Sequence, residues 1–206
     1  NSLVMTAAML IPPQFAAAAP EEFNFGTFGT VVAHELVHVL ELHMFGADGR
    51  PAELWSTDDV QRHDARMKCV VAQATAFVPG PGLRNPGGRQ ADENVADLAG
   101  VRLAYEALAA ALGESKEESI REQLNDRGRD APDRSRVQTF FYAYAQRQCL
   151  AQTPAELARG LGDDSHGPAE FRVNGPLANL PSFAEAFRCA PDTPMARPEP
   201  AICRVR

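Results

Sequence analysis

The sequence predicts an α+β fold that is mostly α, with a small β-sheet near the N-terminus. Three observations predict it. Apolar residues recur at helical spacing through most of the chain, Pro- and Gly-rich stretches cut that pattern into segments, and the first 25 residues carry extended signals. The chain has 206 residues, 45% hydrophobic and 23% charged, which suffices for one buried core and one domain over residues 1–206.

Each element follows from its local pattern. Residues 1–25 join an apolar start to Ile11-Pro12-Pro13 and then Ala19-Pro20-Glu21-Glu22, and read as extended and irregular. From Gly26 to about Phe45 the spacing turns helical, with Val31, Leu36, Val39, Leu40 and Leu42 forming an apolar surface. The turn signal Ala47-Asp48-Gly49 ends that helix. Ser56 to Asp59 supplies an N-cap for a second helix through about Ala76. Pro79 to Gly88 excludes a helix, because proline lacks the N–H donor and blocks the preceding turn. The loop near Pro79–Arg89 is expected to complete the sheet with the first 25 residues. Asp92 to about Leu112 reads as a third helix, stopped at Gly113, and charged Glu114–Arg134 as a short helix with a solvated loop. Val137–Cys149 is an aromatic helix expected in the core. Thr153-Pro154 opens a short helix to about Gly160, followed by others around Ala169–Gly175 and Pro181–Arg188 and a Pro-rich tail.

Charge and cysteines narrow the functional classes. The net charge of -7 contains no Lys/Arg-rich block, so neither a nucleic-acid footprint nor a polybasic membrane anchor is expected. No apolar run reaches the roughly 18–20 residues that span a bilayer, so no transmembrane segment is expected in this chain. Leu3–Ala19 is apolar but lacks a basic flank and holds Pro12-Pro13 at its middle, so it reads as part of the fold rather than a leader. The chain begins at Asn1 without a Met, which fits a processed or truncated product. Cys69, Cys149, Cys189 and Cys203 match no CxxC zinc pattern. Their even number and wide spacing favour an oxidising, extracytoplasmic setting, with three pairings open, or pairing to something outside this chain.

The chemistry concentrates in His34-Glu35-Leu36-Val37-His38, an HExxH motif. Histidines at i and i+4 share one helix face, so both imidazoles reach one ion. Zinc accepts neutral imidazole nitrogen and tolerates water at its fourth position, and Glu35 is placed to take that water's proton. With five His in the chain, chance yields only about 0.01 such motifs. A catalytic zinc needs a third protein ligand. His43 lies near the helix end on another face, and His63 sits in a solvated Gln-Arg-His-Asp run. Glu93 and Asp97 fit better: they are i and i+4 on one helix, so one carboxylate can bind the ion while the other accepts a hydrogen bond from a ligand histidine.

With HELVH followed by Glu93-Asn-Val-Ala-Asp97, the chain resembles the neprilysin/endothelin-converting-enzyme family of zinc metallopeptidases. The likeness extends to Asp164-Ser-His166-Gly-Pro-Ala-Glu-Phe-Arg172, to Asn174-Gly-Pro-Leu177, to Phe183-Ala-Glu-Ala-Phe187 and to the Cys203-Arg-Val ending. The resemblance implies a zincin-like catalytic domain and one zinc per chain, held by His34, His38 and Glu93. Asp97 would orient a ligand histidine, and Glu35 would act as general base. His166 would donate a hydrogen bond to the oxyanion, and Arg172 would grip a substrate carbonyl or carboxylate. It implies oligopeptide substrates cut on the N-terminal side of apolar residues. It also implies a Cys69–Cys203 disulfide. The family positions matching Cys149 and Cys189 pair with an N-terminal helical domain of the same protein, so in this chain the two are expected free or bonded to a separate polypeptide. On that reading the chain is the C-terminal part of a longer protein. Departures are Val39-Leu40-Glu41 where the family has Gly-Phe-Asp, Gln148 where it tends to have an aromatic, and the absence of the substrate-aligning edge strand expected just before Asn1. That missing strand leaves a second reading, a non-catalytic peptide- or protein-binding module.

Overall fold

The computed structural model describes residues 3–39, 44–46, 48–52, 55–112 and 132–205. Pro20 precedes the first helix, α1 (Glu21–Asn24), whose opening glutamates complement the exposed N–H groups of a helix start. The helix continues through one wide π turn, Phe25–Gly29, into α2 (Thr30–His38). Threonine hydroxyls hold that turn: Thr27 Oγ1 donates to the Phe23 carbonyl at 2.9 Å, and Thr30 Oγ1 to the Gly26 carbonyl at 2.8 Å. A methyl at Gly26 would lie 2.3 Å from the Phe140 carbonyl oxygen, so glycine alone permits this close approach.

The helix expected to reach Phe45 ends at His38, and Met44–Phe45 form strand β1, paired antiparallel with β2 (Pro51–Ala52) around the predicted turn. This hairpin is the only sheet among the described residues, so the sheet lies neither in the first 25 residues nor in the loop near residues 79–89. The reason is local. Residues 7–10 close into a 3-10 turn and Pro12-Pro13 offer no N–H donors to a ladder. In the later loop, Asn85 anchors to helix α3 by donating Nδ2–H to the Ala74 carbonyl at 2.9 Å.

Helix α3 (Thr57–Ala76) starts at a capping box in which Ser56 and Asp59 each satisfy the other's backbone N–H. Helix α4 (Ala91–Ala111) is the axis of the molecule, burying Ala96, Asp97, Gly100, Val101, Ala104 and Leu108 along one side. Helix α5 (Pro132–Arg147) begins five residues before the expected Val137, because Pro132 is preorganised for a first turn. The expected charged segment 113–131 lies outside the described residues. Then follow α6 (Pro154–Asp163), with a Thr153/Glu156 capping box, α7 (Ala169–Leu177) and α8 (Pro181–Phe187).

The main core joins α2, α4, α5 and α8 through Ala33, Tyr105, Phe140, Phe141, Tyr144 and Ala186. Tyr105 meets Phe140 and Phe141 at ring distances of 5.4 Å, geometry that adds to their area burial. A second cluster packs Val70 and Leu98 under Cys203 and Val205, where a Cys69–Cys203 disulfide bolts the Pro-rich tail to α3. Cys149 is exposed and Cys189 half-buried, and both are free thiols.

Candidate metal centre

Helices α2 and α4 cross with their backbones almost in contact. A Cβ at Gly100 would lie 2.8 Å from the His34 nitrogen and 2.9 Å from its Cα. One and two turns before that crossing, α4 carries Asp97 and Glu93, so both carboxylates flank the ring of His34.

On one side of the ring, His34 Nε2 lies 3.1 Å from Glu93 Oε2 and 3.1 Å from His38 Nε2, and His38 Nε2 is 3.6 Å from the same carboxylate oxygen. Two atoms each about 2.0 Å from one tetrahedral ion stand about 3.3 Å apart, so this triangle has the size of a zinc ligand set. On the other side, His34 Nδ1 is 3.0 Å from Asp97 Oδ1, at an angle too oblique for a full hydrogen bond. A carboxylate there turns Nε2 and its lone pair toward the triangle.

The charges agree with the distances. Burial pulls the His34 imidazole down, but the Asp97 and Glu93 carboxylates outweigh it and hold its pKa at about 9. Hydrogen bonds from His166 and then His34 keep Glu93 well below the usual carboxylate range, against the opposing effect of burial. Burial also pushes Asp97 up, and the Arg172 hydrogen bonds with the close His34 imidazole more than offset it. The site thus favours positive charge between its imidazoles and carboxylates. The donor set of two imidazoles and one carboxylate is one that zinc accepts.

The loop before α7 closes the site. His166 Nε2 sits 3.0 Å from Glu93 Oε2, and its Nδ1 sits 3.0 Å from Asp164 Oδ1. The Glu93 contact raises the His166 pKa most, with burial opposing it. Arg172 donates from Nε and Nη2 to the two Asp97 oxygens at 2.7 and 2.9 Å. The guanidinium fork is engaged with a protein carboxylate, because Asp97 is buried and needs a bidentate partner. Tyr144 donates its hydroxyl to the Arg172 carbonyl at 2.6 Å, and burial pushes that hydroxyl's pKa up.

Glu35 is exposed on α2, one residue past buried His34. His63 lies on α3 beside Asp64, and His43 and Glu41 fall outside the described residues. Two contributors escape a reading of the sequence. Arg147 brings a second guanidinium to 3.8 Å from Asp97 while lying 5.6 Å from the Tyr144 ring. Its local pattern gives no signal, since the same helix also carries Arg134 and Arg136. Gln90 donates to the His166 carbonyl and has no signal at all. Beside His166 and Arg172 opens a cavity of about 150 Å³, walled by Leu150, Leu157, Leu161 and Pro168, with Gln148 and Gln152 among the lining.

Two crossing helices that bring two histidines and a glutamate to one point, with a further carboxylate behind, define a metallopeptidase class of site. The sequence agrees: residues 1–203 match Peptidase family M13, and the chain belongs to that family. It is 32% identical to human endothelin-converting enzyme 1 over 201 residues, which cover 96% of this chain and 25% of that protein. It is also 32% identical to Caenorhabditis elegans neprilysin-1 over 202 residues, covering 95% of this chain and 26% of the relative. The chain therefore spans about a quarter of the length of these curated relatives. Among solved structures, the Mycobacterium tuberculosis zinc metalloprotease Zmp1 in complex with an inhibitor superposes with a TM-score of 0.82 at 29% identity, over 97% of this chain and 30% of that one. PepO from Lactobacillus rhamnosis gives 0.79 at 27% identity, over 97% and 29%.

Proposed function

We propose that this chain is the catalytic domain, over residues 1–206, of a zinc-dependent metalloendopeptidase acting on oligopeptides. The observation that carries the reading is the triangle of His34 Nε2, His38 Nε2 and Glu93 Oε2, with sides of 3.1, 3.1 and 3.6 Å. Those three residues would hold one zinc, and Asp97 would fix the His34 ring. Bound zinc supplies Lewis acidity and a water acidified toward a pKa of about 7.

The remaining work falls to the chain's own groups. Glu35 takes the proton from the attacking water and passes it to the departing amine nitrogen. His166, whose Nε2 faces Glu93 Oε2 at 3.0 Å, would turn that N–H to the carbonyl oxygen as that oxygen gains charge, while Asp164 holds Nδ1. Arg172 keeps three N–H groups beyond the two spent on Asp97, and these are the donors left for a substrate carbonyl. The leucine-walled cavity beside His166 supports a preference for an apolar residue just after the scissile bond, tempered by Gln148. The Cys69–Cys203 disulfide supports an extracytoplasmic location. Among the described residues, no helix is long and apolar enough to cross a membrane. The chain's quarter share of its relatives' length supports its being one part of a longer protein with an N-terminal helical domain.

Glu35→Gln tests the reading. The amide keeps the size but cannot accept a proton, so peptide turnover should fall at least about 100-fold while bound zinc stays at one per chain. Zinc content by atomic spectroscopy and cleavage products by mass spectrometry read both outcomes. Comparable turnover in the variant removes the general base, and a wild-type chain that takes up no zinc removes the whole proposal. A chain that binds zinc and peptide but cleaves nothing would instead be the binding module.

A further inference from the structure

The first turn of α4 does more than present Glu93. Gln90 stands at its N-cap, is 0% exposed, and donates Nε2–H to the His166 carbonyl at 2.9 Å. One turn on, Asn94 packs against the same loop, where a Cβ on Gly167 would lie 3.1 Å from Asn94 Oδ1. Arg89 adds a longer, exposed contact of 3.2 Å to the Asp164 carbonyl. Of these ties, only Gln90 reaches the backbone of His166 itself, at its carbonyl, while the His166 N–H donates to Asp164 Oδ1 at 2.9 Å.

The buried amide is retained at a cost. Gln90 Oε1 has no hydrogen-bond partner among the described residues, and a buried acceptor left unmade is unfavourable. A Met or Leu side chain would fill the same space without that penalty. What an apolar side chain cannot supply is the donor that fixes the peptide unit of His166.

The geometry points to Gln90 as a positioning residue that holds His166 in register with the metal ligands. Its place explains the coupling. Gln90 and Glu93 sit three residues apart at one helix end, so the clamp on His166 and the carboxylate of the metal triangle move as one body. The His166 ring then stays against Glu93, with Nε2 at 3.0 Å from Oε2, where the proposed reaction develops its charge. Misplacing such a donor by a fraction of an ångström weakens its bond to the charged oxygen far more than its contact with a neutral carbonyl.

The inference rests on the proposed role of His166, and the test separates the two. Four zinc-loaded forms of the chain are compared: wild type, Gln90→Met, His166→Ala and the double variant. Two quantities are read, the affinity for a phosphonate peptide that mimics the tetrahedral, negatively charged oxygen, and the affinity for zinc in competition with a chromophoric chelator. Gln90→Met should weaken phosphonate binding roughly 10-fold in the wild-type background and within about twofold in the His166→Ala background, because the two residues act as one unit. Zinc affinity should stay within about twofold, since the three ligands keep their helices. Equal losses in both backgrounds, or a parallel loss of zinc, would make Gln90 a packing residue and overturn the inference. If Gln90→Met does not fold, Gln90→Asn carries the test: it keeps the amide but falls one methylene short, and should show the same background-dependent loss. A wild type that binds zinc and phosphonate but is indifferent to His166→Ala would sink the oxyanion-donor reading, and the role of Gln90 with it.

Discussion

His34 faces two ways, and the rest of the site depends on that. Its Nε2 belongs to the proposed ligand triangle and its Nδ1 faces Asp97, which Arg172 grips from behind. Removing Asp97 would free the ring to turn and leave Arg172 a buried cation without its carboxylate. Asp97→Ala should therefore weaken zinc binding by roughly 10–100-fold, as measured by chelator competition on the folded variant. Unchanged affinity would mean that the α2 backbone alone orients the ring. At this scale, legibility followed sequence distance. His34, Glu35 and His38 could be read from helical period, and the Glu93/Asp97 pair from the same rule on a second helix. His166 and Arg172 could not, since their partners lie 73 and 75 positions away and no local pattern encodes that. Family resemblance alone singled out both, and the structure adds the grip of Arg172 on Asp97.

At the scale of elements, the site is a consequence of how closely α2 and α4 approach. Helix termini with strong local chemistry could be read from sequence, such as the Ser56 capping box and the Thr153-Pro154 start. The end of α2 at His38 could not, because the apolar spacing runs on past it while the chain turns into the hairpin. The sheet was misplaced for a related reason: strands of two residues depend on a partner rather than on their own pattern. Gly100 shows what sets the approach. A methyl there meets backbone, at 2.8 Å from the His34 nitrogen, and backbone cannot rotate away. Gly100→Ala should cost about 1–3 kcal/mol of stability by overpacking, and by pushing the helices apart it should open the triangle and weaken zinc roughly 10-fold or more. Gly87→Ala is the control. It is comparably crowded, at 2.6 Å from Thr75 Oγ1, but it presses on α3 rather than on α2, so it should lose stability and keep its zinc affinity. Matching zinc affinities for the two variants would refute the argument.

Across the whole molecule, contacts distant in sequence hold the frame around this pair of helices. The Cys69–Cys203 bond spans 134 positions and joins the tail to α3, constraining the unfolded chain strongly. The Glu22–Arg136 pair spans 114 positions and ties α1 to α5 at 3.0 Å, just where Gly26 lets the same two segments touch. Burial pushes the Glu22 carboxyl up, but the Arg136 hydrogen bond, its own backbone contact and the nearby positive charge outweigh it and leave the pKa lowered. A carboxylate whose folded pKa lies below its unfolded value adds stability above the unfolded value, near 4.3, and loses it as pH falls through the folded value. Arg136 is partly exposed, so solvent screening limits the contribution to about 1 kcal/mol or less. Glu22→Gln should accordingly be slightly less stable than wild type at pH 7, and the difference should shrink below about pH 4 as the wild-type carboxyl takes up its proton. Urea unfolding of both proteins across that range measures it. A gap that stays constant down to pH 3 would show that Glu22 contributes by packing rather than by charge.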